Sequence, residues 1–268
     1  MPLLADCEVV GPIARTVADA RLLYDALAGP HPLDPLSTSF PSALPASPPG
    51  PAATRPLRIL YVATLPAHPV DPDIATACAT AARRLAGLGH QVSEGPLPFD
   101  IEAVNAAWSQ LGSIGLARLA RHEARFDRLA SPNFVALARA GNALEAGAPS
   151  AIDEQIGRFR RTVRNAFQSV DLIAMPCTAA PPWPAEQVYP EIIAGQPVGP
   201  RGHAVFTGWV NACGHPAINL PIGRLAGGLP VGLQLIGDFG QDDALLDVAA
   251  AVQRLLAQPF PEDLPATL

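Results

Sequence analysis

The sequence predicts an α/β chain, on three observations. A short apolar run at residues 57–63 leads into an Ala-rich helical stretch at 73–88, closed by Gly89, and then into a second short run at 91–93; strand, helix and strand with short links read as a parallel unit. Two further apolar runs, 217–221 and 231–236, are bounded by Gly and Pro, the pattern of strands buried on both faces. Before, between and after them, apolar residues recur at helical spacing in stretches starting near Thr16, Ile152 and Asp242.

Composition bounds what such a chain does. With 268 residues, 49% hydrophobic and 16% charged, it holds one large core or two small ones. A net charge of −6 argues against nucleic acid or an anionic membrane as the main partner. Cys7, Cys78, Cys177 and Cys213 are far apart with no C-x-x-C, which fits isolated thiols in a cytoplasmic protein. The first ten residues hold Asp6 and Glu8 and no basic stretch, so no signal peptide is expected, and no apolar run is long enough to span a bilayer. The six histidines lack ligand spacing, and neither a metal nor a cofactor is expected.

In chain order, Thr16 is placed as an N-cap with Asp19 three residues on, and Val17, Ala20, Leu23, Tyr24 and Leu27 form an apolar stripe ending at Gly29. Residues 30–56 carry nine prolines, too many for a helix or central strand, and read as an extended surface loop rather than a domain boundary. Ligands of a parallel unit sit beyond its strand ends, near residues 64–70, although His68 there also reads as an ordinary loop residue. Residues 101–144 are predicted helical in pieces, broken at Gly112, at Ser131-Pro132 and at Gly141. Arg118, Arg121, Arg125 and Arg128 line one face, but interleaved Glu123 and Asp127 make it a salt-bridged surface rather than a polyanion site.

A helix over 152–170 puts Arg158, Arg160, Arg161 and Arg164 on its polar side and C-terminal half, where cations suit the helix dipole. Residues 171–175 form a buried strand, and the Pro- and Gly-rich loop that follows, with Trp183 and Tyr189, suits either a cleft wall or a cover for the core edge. A short helix over 205–212 carries Phe206, Trp209 and Val210 on one side and stops at Cys213-Gly214. The last helix, 242–256, turns Leu245, Leu246, Val248, Ala249, Val252 and Leu256 inward.

Two catalytic patterns are close but incomplete. Gly112-Ser113-Ile114-Gly115 lacks the first glycine of a nucleophile elbow, since Leu111 stands there, and it reads as helix. Cys213 lies two residues from His215, yet productive Cys-His pairs are made by the fold and not by adjacency, so Cys213 reads as a packed small hydrophobe.

Three stretches resemble one family. F-T-G-W-V-N-A-C-G-H-P-A-I-N-L-P with G-L-P-V-G-L-Q-L-I-G and D-D-A-L-L-D-V-A-A-A-V-Q is similar to the C-terminal end of amidase-signature hydrolases. V-G-P-I-A-R-T-V-A-D-A-R-L-L-Y-D-A-L-A-G, from Val10, resembles the segment that follows their catalytic part, and D-L-I-A-M-P-C-T resembles their D-x-x-x-x-P-x-T strand. The resemblance implies a mixed β-sheet with helices on both faces, here a single amidase-like C-terminal region over 1–268 that includes the Pro-rich loop 30–56.

The resemblance also implies a Ser nucleophile, a second Ser and a Lys base that hydrolyse a carboxylic amide through an acyl-enzyme. This chain contains no lysine and no Gly/Ser-rich run, and Arg cannot act as the base because it does not lose its proton near neutral pH. No catalytic residue is assigned. The expected role is the substrate-side part of an amide hydrolase, inactive alone, with Phe206, Trp209, Asn211 and Cys213 as substrate-binding positions. The expected partners are a small-molecule amide and a missing N-terminal catalytic half or a second copy, with no nucleic acid and no membrane. The alternatives are a noncatalytic ligand-binding or scaffold protein and one half of a split amidase.

Overall fold

The computed structural model describes residues 3–34, 37 and 55–256; most of the Pro-rich stretch 30–56 lies outside them. Helix α1 is Val17–Leu27, β1 Arg58–Tyr61, α2 Pro72–Leu85 and β2 Gln91–Glu94. Four helices follow: α3 Glu102–His122, α4 Phe126–Leu129, α5 Pro132–Asn142 and α6 Ala148–Ala166. Then come β3 Leu172–Pro176, the hairpin β4 Ile192–Ile193 and β5 Gln196–Pro197, α7 Gly208–Cys213, β6 Ala217–Arg224, β7 Pro230–Gly237 and α8 Asp242–Leu256.

Five strands form one mixed sheet in the order β2-β1-β3-β7-β6. The first three run parallel and the last three antiparallel, with β3 shared between the two halves. All five residues of β3 are buried. Its entry is clamped from outside: Asp171 accepts the Arg58 backbone N–H at 2.8 Å and meets the guanidinium groups of Arg55 and Arg58, each at 3.0 Å. The Arg55 hydrogen bond first, with Arg58 adding, holds the Asp171 carboxyl well below the usual carboxylate range against the opposing effect of burial. Helices α2 and α8 cover one face of the sheet, with α1 against α8, while α6 and α7 contribute Phe159, Val163, Phe206 and Trp209 to the same core.

Local chemistry explains the helix ends. Thr16 Oγ1 accepts the Asp19 backbone N–H at 3.0 Å, Asp71 caps α2 through the N–H groups of Asp73 and Ile74, and Gly89 and Gly214 close their elements at φ +84° and +75°. All six inward residues expected of α8 are buried.

Three expectations are corrected. Gly112 does not break α3, which runs on for 21 residues, because an isolated glycine inside a packed helix costs only about 1 kcal/mol. Gly141 stands one residue before the end of α5, where the expected break falls; a Cβ there would overlap the Ser113 carbonyl of α3, so its missing side chain also lets the two helices touch. The apolar stripe of α1 is largely uncovered, with Val17 alone buried and Leu23 and Leu27 exposed. Lastly, β6 alternates exposed and buried residues, since successive side chains point to opposite faces and α8 and α2 cover only one of them; it is also an edge strand with no partner beyond it among the described residues.

A pair of glycine substitutions separates contact from flexibility. Gly141→Ala forces α3 and α5 apart and should cost about 1–3 kcal/mol. Gly157→Ala, in α6 with its nearest neighbour 3.9 Å from the new Cβ, should stabilise by about 0.5–1 kcal/mol. Urea midpoints of the two variants check this; equal shifts would refute the close-contact argument.

Candidate functional site

The open edge of β6 forms one side of a groove of about 750 Å³. Residues 9–16 form the opposite side, and α1, the C-terminal end of α7 and the start of α8 close it. No backbone hydrogen bond joins residues 9–16 to β6 among the described residues, so the two walls stand apart. The lining is apolar in large part, and Val9, Val10 and Ile13 are 73%, 89% and 96% exposed. Uncovered apolar side chains beside an unpaired strand edge make a surface suited to association.

Polar groups converge on the same groove. Residues 3–8 are held by Arg160, whose Nη1 meets Asp6 at 2.8 Å and whose Nε donates to the Ala212 carbonyl at 2.9 Å. Asn211 Nδ2 donates to the Cys7 carbonyl at 3.3 Å, which ties α7 to that segment. Arg160 therefore faces protein, not the solvent side expected for it, and Arg164 lies over the Phe239 ring at 4.5 Å. Across the groove, burial pushes the Tyr24 phenol up to about 12, with the nearby Asp242 and Asp243 adding, and burial raises the carboxyl of Asp242.

His215 is the most enclosed polar residue of the groove lining. Its ring stacks on Phe167 at 4.8 Å between centroids and meets Phe239 edge-on at 6.1 Å. Neither ring nitrogen has a hydrogen-bond partner among the described residues, and Nε2 lies 3.6 Å from Asp238 Oδ1. Burial lowers its pKa and the nearby Arg164 adds to this, with Asp238 opposing.

The four positions expected to bind substrate are split. Asn211 lines the groove. Phe206, Trp209 and Cys213 belong to the main core, where Trp209 meets Phe99 edge-on at 5.2 Å between centroids. Burial pushes the Cys213 thiol up to about 12, far from the thiolate that nucleophilic chemistry needs. Behind them, Gln234 of β7 donates to the Phe206 carbonyl at 3.0 Å, a buried amide that fixes the entry to α7. Sequence reasoning missed the Tyr24–Asp242 pair and Gln234, since a tyrosine in an apolar stripe and a glutamine in an apolar strand both read as packing. Ser113 lies in mid-helix in α3, not on a strand-to-helix turn. Gly232 has its own use: a Cβ there would overlap the Asn219 side chain, which folds across the hairpin from the groove wall.

Comparison with known proteins gives this arrangement a family. The family model described as Amidase matches residues 2–246. The chain belongs to that family. It is 31% identical to a fatty acid amide hydrolase of Oryza sativa subsp. japonica, over 95% of this chain and 43% of that one. It is 30% identical to a glutamyl-tRNA(Gln) amidotransferase component of Thermus thermophilus, over 94% of this chain and 56% of that protein. Among solved structures, a bacterial aryl acylamidase of the amidase signature family superposes with a TM-score of 0.78 at 23% identity, over 93% of this chain and 55% of that chain. The mixed sheet flanked by helices is thus the fold of amidase-signature enzymes. The chain spans about half the length of the relatives it matches.

The aromatic setting of His215 predicts a pH effect. A histidine whose pKa is lowered by folding binds fewer protons in the native state, so its contribution is present above the unfolded value of about 6.5 and is lost as pH falls below it. His215→Phe, which keeps the stack between Phe167 and Phe239, should lessen the loss of stability between pH 7 and 5 without abolishing it, since His90 and His203 are shifted the same way. Denaturant melts of both proteins at the two pH values check this, and an unchanged pH slope would contradict it.

Proposed function

We propose that this chain is the substrate-side, C-terminal part of a hydrolase of carboxylic amide C–N bonds and that it does not hydrolyse amides by itself. The observation that carries the reading is the lack of any lysine in a sequence whose family match extends from residue 2 to residue 246. A Ser/Ser/Lys mechanism needs an amine that can lose its proton, and the 18 basic residues here are all arginine. The relatives are nearly twice as long, and the open β6 edge with the apolar groove beside it is suited to receive further strands of an amidase-length protein.

In this reading the region over 1–268 acts as one unit, and no cofactor takes part. Asn211 contacts the bound amide or the chain that completes the site. Phe206, Trp209 and Cys213 act from below, as the packed floor that holds α7 in place. Reduced thiols and net negative charge suit a cytoplasmic setting, and none of the helices described is long and apolar enough to cross a membrane.

A second reading has its own support. One core cluster runs from Val17 to Leu256 and takes in all five strands of the sheet, counting the partly buried Val92 of β2. Such a core suits a self-standing, noncatalytic amide- or carboxylate-binding protein. A split amidase, with its catalytic half on another chain, differs from both by regaining turnover when that chain is added.

Purified chain incubated with a simple aryl amide such as 4-nitroacetanilide should release no 4-nitroaniline above the buffer rate. Turnover that serine-directed reagents abolish would contradict the proposal. Sedimentation should show concentration-dependent association through the uncovered edge, whereas a monodisperse, cooperatively unfolding protein would favour the binding-protein reading.

A further inference from the structure

A second constellation lies away from the groove, where the chain leaves β3. The 3-10 turn Gly202–Ala204 is fastened there: the His203 carbonyl accepts the Ala179 backbone N–H at 3.0 Å and the Thr178 hydroxyl at 3.1 Å. Since β1 and β3 are parallel, this turn sits on the side where both strands end. Ligands of parallel strands collect on that side.

The side chains around the turn pair two basic groups with aromatic walls. The Trp183 ring lies 4.7 Å from the His203 ring at a 58° tilt, and Trp183 Nε1 is steadied by the Gln187 carbonyl at 2.9 Å. The Arg201 guanidinium carbon lies 5.7 Å from the centre of the Trp108 ring. Gly208 makes the room for this, since a Cβ there would lie 3.3 Å from Arg201 Nη2 and 3.8 Å from Trp108.

What the pair lacks is an anion. Among the described residues, no carboxylate and no carbonyl accepts from Arg201, and His203 Nδ1 is buried without a partner. Arg21, Arg55, Arg58 and Arg160, by contrast, each meet a carboxylate. Arg201 is exposed as a residue and His203 half-buried; desolvation lowers the pKa of Arg201, and desolvation together with Arg201 lowers that of His203, effects that a bound anion would oppose. A planar guanidinium offers two parallel donors to a carboxylate, and the flanking rings offer faces to an apolar body.

We propose that Arg201 and His203, walled by Trp108 and Trp183, form a recess for the carboxylate of a ligand with an aromatic or apolar body. The recess deepens the amide-hydrolase reading by naming a substrate class, amides that also carry a carboxylate, and only that use of the word substrate rests on the reading. Binding by the recess itself does not require the chain to turn over anything.

Calorimetric titration of the purified chain with phenylacetate and with neutral phenylacetamide tests this. Phenylacetate should bind saturably, with the neutral amide about tenfold weaker or more, the scale of one charge-assisted interaction. Arg201→Gln should weaken phenylacetate by a similar factor and leave phenylacetamide unchanged, while Arg201→Lys keeps part of the affinity. Thermal melts of both variants should match the parent, since the Arg201 side chain makes no hydrogen bond among the described residues and its backbone bond from Ala204 is kept in both. Equal affinity for the two ligands, no saturable phenylacetate binding, or full binding by Arg201→Gln would overturn the proposal. Because none of these readouts is turnover, their failure is distinct from failure of the hydrolase reading.

Discussion

Leu172–Pro176 is the strand on which the other layers depend. It is buried on both faces, pairs parallel to β1 and antiparallel to β7, and thereby joins the βαβ half of the sheet to the hairpin half. A strand in that position cannot tolerate an unpaired backbone or a misplaced register. Asp171 sets the register at its entry through three groups of Arg55 and Arg58, all near the surface, so the core strand is fixed by charge where it meets water. At its exit, Thr178 and Ala179 fix the His203 turn.

Two distinct surfaces follow from this one strand. Toward β7 and β6 the sheet ends in an uncovered edge beside exposed Val9, Val10 and Ile13. Toward the ends of β1 and β3 lie the aromatic walls and the Arg201–His203 pair. The first is a matter of unsatisfied backbone and apolar area, the second of unneutralised charge. They call for different occupants, a further stretch of protein and a small anion. The residues shared by neither, Phe206, Trp209 and Cys213, are the packed material between them.

Much of the fold was legible because each element carries its own local signal. The Thr16 cap, the Gly89 and Gly214 stops and the inward face of α8 were all readable from spacing and residue type. Gly112 misled because one glycine costs a packed helix little, and Gly141, which does mark the end of α5, has a second use that no sequence shows, the close approach of Ser113. Likewise β6 was read as buried on both faces: Ala217, Ile218 and Leu220 read as an apolar run, but Ile218, Leu220 and Ile222 share one face, and whether the other face is covered depends on the fold around the strand. The site was less legible still. Trp209 and Phe206 drew attention as large aromatics, whereas Tyr24, His203 and Arg201 gain meaning only from residues far along the chain that the fold brings beside them.

The central claim is that β6 is an unfilled seat at the edge of the sheet. Hydrogen exchange resolved to single amides tests it most directly. With β6 paired on one side alone, its amides should alternate, those facing β7 protected and those facing the groove exchanging nearly as fast as a loop, while β3 stays protected throughout. Protection of every β6 amide to the level of β3, in dilute monomeric protein, would show that the edge is already closed and would contradict the account.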